Sequence, residues 1–368
     1  MKNKAKDKMQ NRTISLKPYV YERPSISAVT IKIIILLLLQ VIMLILTKSY
    51  NAVIVSASST LGAFIASLIH FLFTKKQNFL SLTATIQGMI IGMLLPSDYP
   101  PVTVFFISLI TLLIFKYIFE SNENFWINII SVSVLIAFFI GRKYFPVFQV
   151  PSELFNTKNP SVTLINSGVF PVYDFDVSLS ERLNSSLFSA LKVTLPQGIL
   201  SMLWDTGSII PAFRFNLLTI IASIALFSDN SFSLLIPTVF LVVYAVLVKM
   251  FFPFMAGGDF NQGDIVLALL TSGTLFIAVF MLQWFGTHPM TITGKLIYSF
   301  FAGIMAFLIV GCGTSSIGMV YVVVFCNILN LLIRQIEERK MDKLIKKISY
   351  LSTTINTSGE LENAGNNK

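Results

Sequence analysis

Charge is what this sequence has least of. Only 12% of its 368 residues are Asp, Glu, Lys or Arg, against ~25% in soluble domains. With 54% hydrophobic residues beside that, a water-facing surface cannot cover so large an apolar interior, and the chain reads as a polytopic membrane protein. Histidine and cysteine are nearly missing, at two residues each. Cys312 and Cys326 lie in or beside one apolar region, with no histidine or carboxylate at ligand spacing. They read as small buried residues, and a metal centre or disulfide is not expected. Phosphate loop, dinucleotide fingerprint after a strand and nucleophile elbow are all missing. "GCGTSSIG" (Gly311–Gly318) is glycine-rich but falls between two apolar runs and reads as a tight turn.

Apolar runs and basic ends are what is there. Phenylalanine is frequent, at 33 residues, which suits packing against lipid. The net charge of +9 is concentrated. Lys2, Lys4, Lys6, Lys8, Arg12, Lys17 and Arg23 precede the first apolar run, and Arg334, Arg339, Lys340, Lys343, Lys346 and Lys347 follow the last. Basic flanks stay cytoplasmic, so both termini are expected inside. No nucleic-acid motif accompanies these charges, and membrane electrostatics accounts for them. The N-terminal stretch has no small-residue cleavage site, so no cleavable signal peptide is expected.

A span of about 30 Å of hydrocarbon needs about 20 apolar residues. Candidate runs lie near 29–47, 52–74, 80–96, 101–119, 125–141, 187–204, 213–228, 232–252, 264–284, 294–311 and 315–335. Two cytoplasmic ends require an even number. The weakest run is 187–204, with Lys192, Pro196 and Gln197 inside it, since a buried charge and a proline both disfavour a spanning helix. It reads as a re-entrant or interfacial helix. The expected fold is therefore all-α, with about ten transmembrane helices in two inverted five-helix repeats. The expected division is a basic N-terminus (1–28), a first repeat (29–141), an extracytoplasmic loop with the broken helix (142–212), a second repeat (213–335) and a partly disordered tail (336–368). Lys75, Lys76 and Lys295 fall inside in this scheme, as the charge rule requires; Arg142, Lys143 and Lys249 fall outside, against it. The loop 142–186 alternates apolar and polar residues and is expected to form short strands.

A weak internal echo supports the halves. "TIQGMIIGMLLP" (Thr85–Pro96) resembles "LTSGTLFIAVFML" (Leu270–Leu282) in placing a glycine among small polar residues before an apolar stretch. Gln87, Thr271 and Thr274 are the positional candidates for a cation or flavin path near these glycines. Gln40, His70, Asn128, Asn216, Asn327 and Asn330 are the other polar residues at spans, read mainly as interhelical bonding groups, with a proton-relay role open to His70.

Several stretches resemble one family. "SLKPYVYERPSISAVTIKIIILLL", "TIQGMIIGMLLPSDYPP", "NENFWINIISVSVLIAFF", "SGTLFIAVFM" with "MTITGKLIY", and "GMVYVVVFCNILNLLI" are similar to successive helices of the NqrB/RnfD family. That family supplies the membrane subunit shared by the Rnf complex and the sodium-pumping NADH:quinone reductase. The resemblance covers nearly everything from Ser15 to Glu337. It implies a bacterial inner-membrane subunit that holds flavin (FMN or riboflavin), passes electrons through the membrane and couples them to Na+ or H+ movement. The implied partners are other membrane subunits and an extracytoplasmic flavoprotein, with NADH handled by a different subunit.

Three departures qualify this. The family's "ATDPV" loop is replaced after Met281 by Leu282, Gln283, Trp284 and Phe285, so its acidic residue is gone. The family's flavin-attachment motif, Ser-Gly-Ala-Thr, aligns with Leu183–Ser186, which places Ser186 at the esterified threonine. Ser186 is thus a candidate for covalent FMN, but a serine-rich helix N-cap is the preferred reading. Third, "IPAFRFN" stands where the family has a "GETS"-like string; its Arg214 is read as snorkelling to the interface, with phosphate or carboxylate binding as the alternative. Two other functions remain open at this point: a diverged scaffold or electron-transfer subunit without attached flavin, and a secondary transporter of a small solute.

Overall fold

A computed structural model describes residues 25–74, 82–119, 127–146, 154, 159–192, 194–228, 232–255, 260–312 and 315–365, with the side chains of the last helix described to Lys346. The basic N-terminal stretch, Lys75 and Lys76 lie outside the described residues.

The regular structure among the described residues is all helix, with no strand. The first half holds α1 (Ile26–Leu46), α2 (Tyr50–Thr74), α3 (Leu82–Leu94), α4 (Pro101–Thr111, continued as a π-helix Leu112–Phe119) and α5 (Ile129–Ile140). A connecting region carries α6 (Pro160–Asn166), α7 (Asp174–Leu183, continued by helical turns to Leu191) and α8 (Ile199–Trp204). The second half holds α9 (Asn216–Ser228), α10 (Leu235–Met255), α11 (Ile265–Leu270), α12 (Thr274–Phe280), α13 (Ile292–Val310) and α14 (Gly318–Gly365). Six of these, α1, α2, α4 with its π-helix, α10, α13 and α14, are long and apolar enough to cross a membrane.

The others are short for clear reasons. α3 ends at Leu94, just before Pro96, and its 13 residues reach only about 20 Å at 1.5 Å per residue. α11 and α12 are one apolar run broken at Gly273, whose φ of 66° is left-handed; the ring of Phe213 fills the space a Cβ would need there.

Neighbours repeat between the halves. In the first, α2 packs on α3 and α4, α3 on α1 and α5, and α4 on α5. In the second, α10 packs on α11, α12 and α13, α12 on α9 and α14, and α13 on α14. If α11 and α12 together count as one segment, the same five neighbour pairs occur twice. The halves meet through α1 against α9 and α5 against α14, which are equivalent positions.

Glycines set the closest approaches. A Cβ on Gly92 would lie 2.5 Å from the Cα of Ser56, and one on Gly88 2.6 Å from the Cβ of Ala63, so α3 rests directly on the backbone of α2. Many large apolar side chains point outward, among them Ile35 and Leu38 of α1, Val242 of α10 and Leu308 of α13. In a membrane helix that face meets lipid, and buried small or polar residues do the interhelical packing.

One expectation needs correction. The described residues of 142–186 form α6 and α7 and no strand: Asp176 and Ser180 share one face of α7 at helical spacing, and their side chains bond to each other at 2.7 Å. The last helix, α14, continues to Gly365; no proline interrupts the hydrogen-bond ladder from Gly318 onward. Segment 187–204, read from sequence as a broken helix, is no continuous helix. It breaks after Leu191, where Lys192 (φ 53°) and Gly198 (φ 95°) are left-handed on either side of Pro196, and resumes as the six-residue α8.

Candidate functional site

The connecting region folds over the break between α11 and α12. Asp176 is fully buried and accepts from the backbone N–H of Ser201 at 2.7 Å, at the start of α8. A carboxylate suits a helix N-terminus. Burial pushes the Asp176 carboxyl up, but hydrogen bonds from Ser180, Ser201 and Gly198 outweigh it and hold the group below its ordinary value. Asn184 closes the next turn, accepting from Leu195 N–H at 2.7 Å and donating to Leu195 C=O at 2.9 Å.

After α8 the chain turns tightly between Asp205 and Arg214. The two side chains form a bidentate pair, with Nε–Oδ1 2.8 Å and Nη2–Oδ2 2.5 Å, and are 1% and 12% exposed. Asp205 also accepts from Gly207 N–H at 2.8 Å and from the Tyr173 hydroxyl at 3.4 Å, while Arg214 donates to the Ser49 hydroxyl on the far side. Thr206 closes the turn by donating to the carbonyl of Phe213 at 2.8 Å. Arg214 therefore neither snorkels nor presents a vacant anion site. A buried carboxylate nine residues upstream takes its fork, a pairing that spacing along the sequence does not announce.

This turn forms one wall of a cavity of about 240 Å³. Phe170, Ile209 and Phe213 give apolar surface; Thr206, Gly207, Ser208, Thr271, Ser315 and Ser316 give a neutral polar rim. Thr271 thus lines the cavity, and its hydroxyl donates to Leu267 C=O at 2.6 Å. Thr274 is fully buried one step behind, bonded to Ser272 at 2.8 Å and to Ala268 C=O at 3.0 Å. The broken segment is held from both halves: Asn216 donates to Leu270 C=O at 2.9 Å, beside the break, and Asn128 to Met281 C=O at 3.3 Å, at the end of α12.

The remaining candidates lie elsewhere. Ser186 is exposed within the π-helical turn Asn184–Phe188, in the middle of a helical run, and donates to Arg182 C=O at 2.7 Å. It is not an N-cap, contrary to the preferred reading. Gln87 belongs to a second polar place, on α3, where its Oε1 accepts from the buried Lys116 at 3.1 Å and Thr83 accepts from the same ammonium at 2.7 Å. His70 stacks on Tyr117 there, with ring centroids 4.3 Å apart. Sequence reading passed over Lys116; its position inside an apolar run was the available signal, and in the structure it lies on the π-helix Leu112–Phe119. Cys312 and Cys326 are both buried thiols, as expected.

No curated protein matches the chain. A family model does, over residues 13–342, and it bears out the resemblance drawn from the helix sequences. Membership implies a multi-pass membrane subunit that works with other membrane subunits of Rnf- or Nqr-type complexes. With six spanning-length apolar helices and no strand among its described residues, and matched over that range, the chain belongs to the NQR2, RnfD, RnfE family.

Proposed function

We propose that this chain carries electrons through the membrane by means of a flavin held noncovalently in the cavity beside Thr271. The observation that carries the reading is the cavity's make-up: aromatic walls and a neutral hydroxyl and amide rim at a helix break. Its volume of about 240 Å³ is just under the roughly 300–1,000 Å³ of sites that enclose a whole drug-sized ligand. A flat ring would enter, with its chain left outside. Phe170 and Phe213 would stack on or edge the ring, and Thr206, Ser208 and Thr271 would meet its polar margin. Flavin supplies one- and two-electron transfer; the protein fixes its position and surroundings.

Covalent FMN does not fit Ser186. The family's Ser-Gly-Ala-Thr is Leu-Asn-Ser-Ser here, Asn184 is committed to Leu195, and the Ser186 hydroxyl is bonded within a helix. An extracytoplasmic flavoprotein would exchange electrons at the face where 142–212 folds, and Na+ or H+ movement would be coupled within the two five-helix units. The repeated neighbour pairs support those units as inverted repeats of ten segments in a bacterial inner membrane, with both termini cytoplasmic. Arg142 and Lys143, on the outer side in this arrangement, lie over the rings of Phe138 and Tyr144, at 5.9 and 4.9 Å; such contacts lower the cost of cations there.

A flavin assay on the purified protein tests this. Flavin should appear in the acid-released supernatant, the denatured gel band should stay dark, and Ser208→Leu should empty the supernatant. A fluorescent band that disappears in Ser186→Ala would replace the noncovalent reading with a covalent one. No flavin in either fraction would end the electron-transfer reading for this subunit.

A further inference from the structure

Among the described residues, three buried carboxamides have no hydrogen-bond partner. Gln283, Asn327 and Asn330 are 1%, 0% and 0% exposed, and none of their six amide atoms has a hydrogen-bond partner. Buried polar groups are nearly always paired, and each unpaired one costs on the order of 1–3 kcal/mol. Three carboxamides left so together need a reason.

They lie on two neighbouring elements. Asn327, Asn330 and Arg334 follow one another at i+3 and i+4 along a single face of α14. Arg334 donates to Gly286 C=O at 3.1 Å, so this face runs beside the segment after α12. α14 also packs on α12 itself, which ends at Phe280 and leads directly to Gln283. The Tyr298 hydroxyl from α13 donates to Leu282 C=O at 3.3 Å and closes the far side. Gln283 and the two asparagines are thus bracketed between the end of α12 and the Arg334 contact. The same seam continues outward as Glu337, which accepts from the N–H groups of Met290 and Thr291 at 3.2 and 3.1 Å.

We propose that Gln283, Asn327 and Asn330 form a binding site for a dehydrated monovalent cation of the sodium class, coordinated by their three amide oxygens at the C-terminal end of α12. The chemistry selects among ligands. None of the three groups titrates, so the site does not hold a proton. A divalent ion would call for carboxylates, and no cluster of three His, Cys, Asp or Glu that could hold a metal occurs among the described residues. The C-terminal end of a helix carries partial negative charge, which favours a cation over an anion, and interrupted membrane helices use such ends for that purpose. Amide oxygens replace water around a monovalent ion without adding a net negative charge to the membrane interior. The proposal rests on the ion-coupling part of the function above and is independent of flavin.

The test is thermal unfolding of the purified full chain in detergent, at constant ionic strength, with NaCl exchanged stepwise for choline chloride. The melting temperature should rise saturably with Na+ by several degrees in the wild type. Asn330→Leu should abolish that rise while melting at least as high as wild type in choline, because an unpaired amide has been replaced by an apolar group. Asn330→Asp should keep the rise and shift its midpoint to at least tenfold lower Na+. Equilibrium dialysis with radioactive sodium on the wild type gives the stoichiometry without a variant, and one ion per chain is expected. No saturable Na+ effect and no bound sodium in the wild type would overturn the proposal. An effect unchanged in both variants would also overturn it, by placing the cation elsewhere. Neither outcome depends on whether flavin is found.

Discussion

Removing the Asp205 carboxylate should be one of the most damaging single changes outside the apolar core. Asp205→Ala leaves the Arg214 guanidinium, 12% exposed, without its bidentate partner. It also strips the Gly207 N–H of its acceptor, which lay at 2.8 Å. Breaking one side of a buried ion pair costs about 3–5 kcal/mol, and an orphaned buried N–H adds ~1 kcal/mol or more. Asp205→Asn keeps an acceptor and loses the charge, so about 1–3 kcal/mol is expected. The double change Asp205→Leu with Arg214→Met removes both charges and should recover most of the loss, since apolar replacement of a buried pair is often neutral. Reversible unfolding in mixed detergent measures all three, and flavin retention reports the cavity wall at the same time. If Asp205→Ala cost less than ~1 kcal/mol, the pair would be behaving like a surface ion pair. The argument that it fixes the 205–214 turn and the cavity would then be wrong.

Other perturbations address separate parts of the fold. The Asp176 carboxyl is held below its ordinary 3.8, so the stability it contributes is complete above that pH and disappears as the pH falls through the lower folded value. Asp176→Asn should be less stable at neutral pH and lose this acid-dependent step, read by unfolding at a series of pH values. Gly92→Ala would put a methyl group 2.5 Å from the Cα of Ser56; a backbone atom cannot rotate away, and a loss of about 1–3 kcal/mol is expected from overpacking, measured by the same unfolding. Gly273→Ala meets both a left-handed φ of 66° and the Phe213 ring, so it should cost more stability than Gly92→Ala and also release flavin.

The apolar helices were legible because a run of apolar residues with basic flanks has one physical meaning in a bilayer. Ten of the eleven runs predicted correspond to helices or, for 264–284, to a helix pair broken at Gly273. The eleventh, 187–204, was marked by Lys192, Pro196 and Gln197, and it does break, with left-handed residues at Lys192 and Gly198 on either side of Pro196. What could not be read was anything decided by distant partners. Asp205 and Arg214 are ordinary charged residues until a tight turn brings them together. Asp176 lies in a stretch that alternates like a strand, and only its bonds to Ser180 and to the start of α8 show why a helix forms there. Thr271 was found as a candidate because a glycine among small polar residues marks a helix break. Gln87 was chosen for the same reason, but it serves Lys116 instead. Ser186 was placed by alignment to a motif, and the local helix that occupies its hydroxyl is invisible in a motif.

The polar residues of the membrane half divide into two sets, and the division is informative. Asn128, Asn216 and Gln40 are each spent on a partner from another helix: Met281, Leu270 and Thr219. Asn128 and Asn216 both stand at the starts of their helices, α5 and α9, and both end on carbonyls of the broken segment, so each half of the fold contributes one clamp to α11 and α12. Structural bonding of this kind accounts for a buried amide completely. Gln283, Asn327 and Asn330 lie on the same broken segment and its neighbour, and clamp nothing. The segment from Leu282 to Thr291 interrupts an apolar pattern because it faces a polar stripe on α14. The outer part of that stripe, Arg334 and Glu337, bonds the segment in place, whereas the inner part remains unmatched. A fold that pairs its amides so consistently elsewhere has left this inner set for something other than itself.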